Sequence, residues 1–172
     1  NINSTVNKSW DAFSNQLKSF SGIYGVTYYL FLLSRQDQYM GWGRKFRDGD
    51  IKFKCLPVNA SFLKVMGIDV LEGRDFRIED QKMKDGVLIF NETARYEKDM
   101  QLGEKIAEIE IIGFVPDVKF SSFRTEVAPM AFYVCDMENR GMQPNYAYVK
   151  VKAGSDLRAA MSHVKESLTQ FD

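Results

Sequence analysis

A short apolar run followed at once by a helix-capping asparagine lies near the middle of the chain, at Val87-Leu88-Ile89-Phe90-Asn91-Glu92-Thr93-Ala94. The run is compact and strongly apolar, so it predicts a buried β-strand. Asn91 is a natural N-cap, and Glu92 in the first turn complements the helix dipole. We therefore predict a strand that passes directly into a helix extending to about Met100, with Gly103 after its end.

The N-terminal part of the chain has a helical pattern followed by a strand pattern. Residues 25–33 are rich in β-branched and aromatic side chains and predict a strand covered on both faces. Ser4 or Thr5 is the candidate cap of the preceding helix. The apolar side chains of that helix recur with its period at Val6, Trp10, Phe13, Leu17 and Phe20.

The C-terminal part has the opposite order, strands and then a helix. Residues 130–135 and 146–151 predict two strands, and Ser155 or Asp156 is the candidate cap of the final helix. The apolar stripe of that helix consists of Leu157, Ala160, Met161, Val164, Leu168 and Phe171.

The middle of the chain is rich in strand patterns. Residues 51–55 alternate between apolar and lysine side chains, and residues 106–115 are β-like. A short helix through Phe62, Leu63 and Met66 is ended by Gly67. This order of elements predicts an α+β fold with two lobes. One lobe is discontinuous and takes residues 1–50 and 125–172, and the inserted β-rich lobe, with short helices, takes residues 51–124.

Composition excludes several classes of protein. The 172 residues contain 23 Lys and Arg against 23 Asp and Glu, which argues against a dedicated nucleic-acid binder. An apolar content of 45% is too high for an intrinsically disordered chain. The longest apolar run, residues 28–33, is far shorter than a membrane-spanning helix needs. The chain starts without Met and shows no signal peptide, so it is either a cytosolic protein with a trimmed start or a fragment of a larger chain, and we expect a fragment.

The residues that carry most chemistry are few. The single histidine, His163, flanks the apolar stripe of the last helix and is interpreted as a residue at the edge of the core rather than a general base or pH sensor. Cys55 and Cys135 lie in apolar strands, either as reduced core residues or as one inter-strand bridge. One histidine and two distant cysteines leave no zinc-finger pattern, and no metal or cofactor is predicted.

Catalytic patterns are also missing from the sequence. Neither a phosphate-binding loop nor a G-x-S-x-G elbow occurs. A carboxylate-based enzyme would need two acidic groups that face one cleft and have separated pKa values. The acidic pairs Glu79–Asp80, Glu97–Asp99 and Glu108–Glu110 stand in polar segments typical of a solvated surface. We therefore predict no catalytic residue and a protein that is not an enzyme.

Residues 35–50 lack periodicity and predict a long loop or an irregular hairpin. The segment combines large apolar side chains with basic ones, a composition that interaction surfaces favour. The alternative is that these side chains fold back onto the core. Gly41-Trp42-Gly43 is not read as a phosphate-binding loop, because it does not stand between a strand and a helix. The candidate contacts for a partner or substrate are Tyr39, Met40, Trp42, Arg44 and Phe46.

Five segments in order resemble the extracytoplasmic core domain of MacB-type, FtsX-like ABC transporter permeases. Two of them, residues 111–120 (IIGFVPDVKF) and 71–76 (LEGRDF), resemble that family's h-I-G-V-V-x-D-h-x-F and L-x-G-R-x-F, where h is apolar. The others are residues 58–68 (VNASFLKVMGI), 87–94 (VLIFNETA) and 102–106 (LGEKI). Ser122-Phe123-Arg124, Pro129 and residues 148–151 also fall where the family has such residues.

The resemblance implies a two-lobed domain held outside the cytoplasmic membrane between two spans of a permease. One lobe would be similar to the porter modules of efflux pumps, and the other a smaller β-rich insertion. The implied function is non-enzymatic: export of a peptide, lipid or drug through coupled motion and contact with partners or substrate. The implied partners are a cytoplasmic ABC ATPase, a periplasmic adaptor or outer-membrane channel, and a second copy in a dimeric transporter. The alternative is a sensor domain of an FtsX-like permease that controls a cell-wall hydrolase.

Overall fold

The structure, a computed structural model, describes residues 2–34, 39–120 and 126–171. It has helices α1 (Ser4–Lys8), α2 (Trp10–Lys18), α3 (Phe62–Met66), α4 (Glu92–Lys98) and α5 (Leu157–Phe171), and a 3₁₀ helix at Ile78–Lys82. The strands are β1 (Ile23–Tyr29), β2 (Met40–Phe46), β3 (Gly49–Pro57), β4 (Glu72–Gly73), β5 (Val87–Asn91), β6 (Lys105–Ile106), β7 (Ile109–Val115), β8 (Met130–Val134) and β9 (Tyr146–Val151). None of the helices in these ranges is long and apolar enough to span a bilayer.

The two ends of the chain meet in a small sheet. Strand β1 pairs antiparallel with β9, so that Tyr29 lies opposite Tyr146. Helices α2 and α5 pack against each other, and the ring of Phe171 meets that of Phe13 at 5.5 Å. Val6, Phe13 and Leu17 are buried beneath them, which confirms the predicted core stripe of the first helix.

The first helix differs from its prediction in two respects. It is interrupted at Ser9, which leaves the helical conformation and separates α1 from α2. Its cap is Asn3, whose Oδ1 accepts from the Val6 N–H at 2.9 Å, instead of Ser4 or Thr5. The asparagine carboxamide therefore starts the helix one residue earlier than a Ser4 cap would, and two residues earlier than a Thr5 cap would.

The final helix is confirmed, and Val164, Leu168 and Phe171 of its predicted apolar stripe pack against the core, but its first turns are more exposed than predicted. Asp156 is the cap, since its Oδ1 accepts from the N–H groups of Arg158 and Ala159. Ala160 is buried, whereas Leu157 and Met161 are 60% and 53% exposed.

The other strands form one mixed sheet of seven strands. Its order is β2-β3-β8-β5-β7-β4, with β6 also paired to β7. The β3–β8 and β5–β7 pairs are parallel, and the β5–β8 pair is antiparallel. Every residue of β5 and β8 is buried, because these strands are central and covered on both faces. Helices with a mixed sheet confirm the predicted α+β class.

Two strands of the large sheet lie outside the range predicted for the inserted lobe. Strand β2 precedes the predicted boundary at 50/51 and pairs with β3 in the large sheet. Strand β8 follows the predicted boundary at 124/125 and lies between β3 and β5. Residues 124 and 125 are outside the described ranges. Pairing alone does not locate a lobe boundary, so the boundaries themselves stay a prediction.

Asn91 joins four parts of the large sheet. Its Oδ1 accepts from the N–H groups of Ala94 at 3.2 Å and Met130 at 3.0 Å. Its Nδ2 donates to Asp117 Oδ1 at 2.8 Å and to the Ala128 carbonyl at 3.0 Å. The side chain is fully buried and all four of its hydrogen-bonding positions are used. The predicted N-cap role is thus confirmed, and the residue also positions the start of β8.

Asp117 has a different partner from the one expected. The sequence suggests that it binds its own neighbouring backbone in the turn after β7. In the structure its carboxylate accepts from the Thr93 N–H at 3.0 Å and from the Thr93 hydroxyl at 2.8 Å. It therefore ties that turn to the first turn of α4.

The two lobes contact each other through β1 and the start of α3. The buried Thr27 hydroxyl donates to Asn59 Oδ1, and the Ser61 hydroxyl donates to the Val26 carbonyl at 3.1 Å. A Cβ built on Gly25 would lie only 2.8 Å from Val65 Cγ2. Close backbone approach and two hydrogen bonds thus hold α3 against β1.

We expect Asn91→Ala to lower the free energy of unfolding by about 3 kcal/mol, because several buried groups lose their partner together. Urea denaturation of the chain measures this value. Asn139→Ala is the matched control, since Asn139 is exposed and bonds within its own turn to Asp136. Equal effects of the two substitutions would contradict the role given to Asn91.

The Arg74–Asp80 ion pair predicts an acid-dependent contribution to stability. Burial raises the pKa of Asp80, but the Arg74 guanidinium, at 2.7 and 2.9 Å, and the Arg77 N–H outweigh it, so that the pKa lies below its ordinary value. A carboxylate of this kind stabilises the fold above its unfolded-state pKa of about 4 and loses that effect as the pH falls through the folded-state pKa.

We therefore expect Asp80→Asn to destabilise the chain by about 2 kcal/mol at pH 7, since charged hydrogen bonds are lost. The difference from the unsubstituted chain should shrink as the pH is lowered below about 4. Denaturation across pH measures it, and Glu79→Gln, at the exposed neighbour, is the control. A difference that stays constant down to pH 3 would refute this linkage.

Candidate interaction surface

The five predicted contact residues lie at one edge of the large sheet. Tyr39 directly precedes β2, and the other four lie within β2. Trp42 and Phe46 are 9% and 8% exposed. The Trp42 ring packs against Tyr133, with 5.0 Å between the ring centroids. Their aromatic rings therefore belong to the core, as the alternative interpretation of the sequence had them. That these residues contact a partner stays a prediction.

The polar parts of this group remain at the surface. The Arg44 guanidinium lies 4.4 Å from the centre of the Trp42 ring and donates to the Gly43 carbonyl at 2.9 Å. The Tyr39 hydroxyl donates to the Leu33 carbonyl at 3.2 Å, and Lys54 Nζ lies 5.0 Å from the centre of the Tyr39 ring. What this edge offers a partner is therefore cationic groups and backbone rather than an aromatic patch.

The segment 40–57 is a regular hairpin, which resolves the two alternatives of a loop or an irregular hairpin. The register pairs Gly41 with Lys54 and Gly43 with Lys52, and the strands are joined through Arg47 and Asp48. Arg47 has a positive φ of 53° in this turn. Residues 35–38 of the predicted loop are outside the described part of the chain.

One face of the hairpin is bare over its glycines. No atom lies within 4 Å of the Cβ positions built on Gly41 and Gly43. A shallow cavity of about 380 Å³ lies over them, bordered by Lys52, Lys54 and Pro129. The alternation of small exposed residues with Trp42 and Phe46 is the period of a strand, and it could have been found in the sequence.

A second concave region lies between the two lobes. A cavity of about 250 Å³ is lined mainly by Trp10, Tyr28, Met137 and Met142. Another of about 400 Å³ adjoins α2, β1 and α3. Gln81 borders both, and its Oε1 accepts from the Ala60 N–H at 2.7 Å. These cavities are not evident from the sequence, because their walls come from distant segments.

The two cysteines are buried free thiols. Burial raises the pKa of Cys55 well above its ordinary value and raises that of Cys135 as well. Both thiols are therefore protonated at neutral pH and unreactive. Of the two interpretations of the sequence, reduced core residues are what the structure contains.

The other titratable candidates are tied to structural partners or exposed. His163 Nε2 lies 2.9 Å from the Gln16 carbonyl, and its ring stacks on Phe20 at 5.5 Å. Asp80 is held by Arg74, whereas the other acidic residues of the three pairs are exposed. Among the described residues no three His, Cys, Asp or Glu side chains are grouped so as to hold a metal ion. The absence of catalysis stays a prediction.

Comparison with known proteins gives solved structures alone. No protein-family model matches the chain, and no curated protein matches it by sequence. The extracellular domain of the noncanonic ABC-type transporter YknZ from Gram-positive bacteria is similar with a TM-score of 0.65 and 15% identity, over 93% of this chain and 82% of that one. The periplasmic region of MacB from Actinobacillus actinomycetemcomitans gives 0.65 and 15%, over 93% and 72%.

A domain of a putative permease protein from Porphyromonas gingivalis is similar with a TM-score of 0.59 and 15% identity, over 88% of this chain and 71% of that one. At such identity the likeness concerns the fold. It confirms the resemblance found in the sequence and, at 93% coverage, extends into residues 1–49, where the sequence resemblance was weakest. The chain therefore has the fold of the extracytoplasmic domains of MacB-type ABC transporter permeases.

Proposed function

We propose that the chain is a non-enzymatic extracytoplasmic domain of an ABC transporter permease, acting in export of a peptide, lipid or drug. The observation that carries this proposal is the shared fold over nearly the whole chain. The partners that follow are a cytoplasmic ABC ATPase, a periplasmic adaptor or outer-membrane channel, and a second permease copy. The domain itself would transmit motion and present surfaces, as rigid bodies do in switching assemblies.

The position of the terminal helices supports a mechanical role. Helix α1 contacts both α2 and α5, and the Ile2 N–H donates to the Asn145 carbonyl at 2.8 Å. Both terminal segments are thus held in the lobe of the small sheet. A body attached to two neighbouring membrane spans would be anchored through this lobe, with the seven-stranded sheet carried beyond it.

The lobe contacts support transmission of motion. The Thr27–Asn59 and Ser61–Val26 hydrogen bonds connect the small sheet to the segment between β3 and α3. Because Thr27 and Asn59 are buried, displacement of one lobe without the other would leave polar groups unpaired. Motion imposed on the anchored lobe is therefore passed to the large sheet.

The proposal that this domain performs no catalysis is supported by its candidate reactive groups. Both thiols are buried and protonated, and the single imidazole is engaged with a main-chain carbonyl. A cavity with convergent carboxylates is what a carboxylate-based enzyme requires. Each of the two cavities between the lobes is instead bordered by a single carboxylate residue, Glu138 in one and Asp11 in the other.

Export is tested in cells that lack the gene for the full-length permease. Complementation with the full permease should restore efflux of one substrate in a panel of peptides, lipids and drugs, and an ATPase variant unable to hydrolyse ATP should not. Restored separation of dividing cells, with a co-purifying cell-wall hydrolase and no efflux, would instead favour the regulatory alternative.

We expect Asn59→Ala to uncouple the lobes, because the buried Thr27 hydroxyl loses its acceptor. The chain should lose about 1–3 kcal/mol of unfolding free energy, the cost of an unsatisfied buried group. In the full permease, efflux should fall while ATP hydrolysis continues. Asn145→Ala, which removes the bond to the Leu30 carbonyl between the residues that flank β9 and β1, is the comparison variant. Unchanged efflux in a folded Asn59→Ala permease would contradict the coupling role.

A further inference from the structure

Strand β2 has an open edge. It pairs with β3 on one side, and in the described ranges no strand lies on its other side. The Lys54 N–H donates to Pro129 of the neighbouring segment at 2.9 Å, so it points away from β2. In an antiparallel pair the opposite residue, Gly41, then also turns its N–H and C=O away from its partner, and the same holds two residues later at Gly43.

The far end of this edge is already closed, which limits the open part. The Lys45 carbonyl accepts from the Ala107 N–H at 3.0 Å, so the turn between β6 and β7 covers β2 there. The same contact confirms that every second residue of β2 turns its main-chain groups away from β3, because Lys45 follows Gly43 by two residues. The Gly43 carbonyl is met by the guanidinium of Arg44, which is itself half-exposed. The open edge is therefore the short segment from Gly41 to Gly43.

This edge is flat as well as open. Proteins generally protect free edges with proline, a bulge or an inward-pointing charge. At Gly41 and Gly43 the strand has neither side chain nor positive φ, and the register with β3 continues without a bulge. An approaching chain would meet strand backbone without side chains at the two glycines, and it would share the Gly43 carbonyl with the Arg44 guanidinium.

The surroundings of the edge are basic. Lys52 and Lys54 stand opposite the two glycines, and neither has a carboxylate partner in the part of the chain that the structure describes. Arg44 adds a third positive charge, whereas Lys45 is paired with Asp50 at 3.2 Å. Because the glycines place no side chain in between, both lysines can extend across β2 toward the open edge.

We propose that the Gly41–Gly43 edge binds an extended acidic segment of a partner protein as an added β-strand. Main-chain hydrogen bonds to the two glycines would supply the pairing, as in other strand-addition complexes. The added strand would lie roughly 10 Å from β3, two strand spacings away. Carboxylates on its exposed face would then come within the combined reach of glutamate and the side chains of Lys52 and Lys54.

Charge argues against a second copy of this chain as the occupant. Pairing of two β2 edges would put the Arg44 of both copies on neighbouring strands, where like charges are destabilising, and would turn the lysines of both β3 strands toward the same edge. An acidic segment reverses the sign of these interactions. The proposal deepens the function proposed above by giving the chemistry of a partner. Peptide binding by the 172-residue chain and efflux by the full permease are separate measurements, so either can fail without the other.

The test uses a short synthetic peptide in which glutamate alternates with valine, titrated into the isotope-labelled chain. We expect saturable shifts of the Gly41 and Gly43 amide resonances and weaker binding as salt is raised. A peptide with lysine in place of glutamate should not bind. Absence of saturable shifts at these amides, or equal binding of the lysine peptide, would overturn the proposal.

Two variants at one position separate backbone pairing from general attraction. Gly43→Ala keeps the amide and should bind as the unsubstituted chain does, because space is open at its Cβ position. Gly43→Pro removes the N–H from an edge position that tolerates proline and should weaken binding about tenfold or more. If Gly43→Pro does not fold, the unsubstituted chain is titrated instead with the glutamate peptide carrying an N-methylated backbone, and we expect the same loss of binding. Equal binding in either comparison would refute strand addition.

The charge contribution has its own matched control. Lys52→Gln with Lys54→Gln should weaken binding by roughly two- to fivefold per lysine, the effect of an exposed ion pair. Lys82→Gln with Lys84→Gln removes two exposed lysines elsewhere and should leave it unchanged. Sedimentation measures whether the chain self-associates. Self-association that Gly43→Pro abolishes would show that a second copy of the chain occupies the edge and would overturn the proposal.

Discussion

The large sheet depends on one buried carboxamide. Asn91 ends β5, caps α4, receives the first N–H of β8 and donates to the turn after β7, and each of these groups would otherwise be unpaired in the core. A carboxamide is suited to this position because it offers two donors and two acceptors without charge. Aspartate would offer acceptors alone and would place a second carboxylate beside Asp117. The relative positions of three strands and a helix thus follow from one side chain.

Local patterns in the sequence were sufficient where one segment determines its own structure. The strand–cap–helix unit at 87–94, the Asp156 cap and the end of α3 at Gly67, with a φ of 76°, all follow from residues within a turn of each other. The fold class and the resemblance to permease domains rest on such segments. These locally determined segments cover enough of the chain to predict its α+β architecture.

Features that depend on distant segments were predicted less well. Leu157 and Met161 fit the apolar stripe of α5, but they are exposed, whereas the later residues of the same stripe pack against the core. Asp117 binds Thr93 rather than its own turn, a choice made by the parallel pairing of β5 and β7. The hairpin was obscured because Gly41, Gly43 and the basic residues have the composition of a loop, and the burial of Trp42 becomes evident only once Tyr133 is placed beside it.

The pairing of the first strand with the last has a consequence for how the chain reaches its native state. Tyr29 finds Tyr146, and β3 finds β8, so both sheets are completed by segments synthesised long after their partners. Pairings of such long range slow folding, because loop-closure entropy is lost before the contacts form. During synthesis, β1 must therefore remain without its partner strand until residue 151 has emerged, and a chain with such an unpaired strand is prone to aggregate.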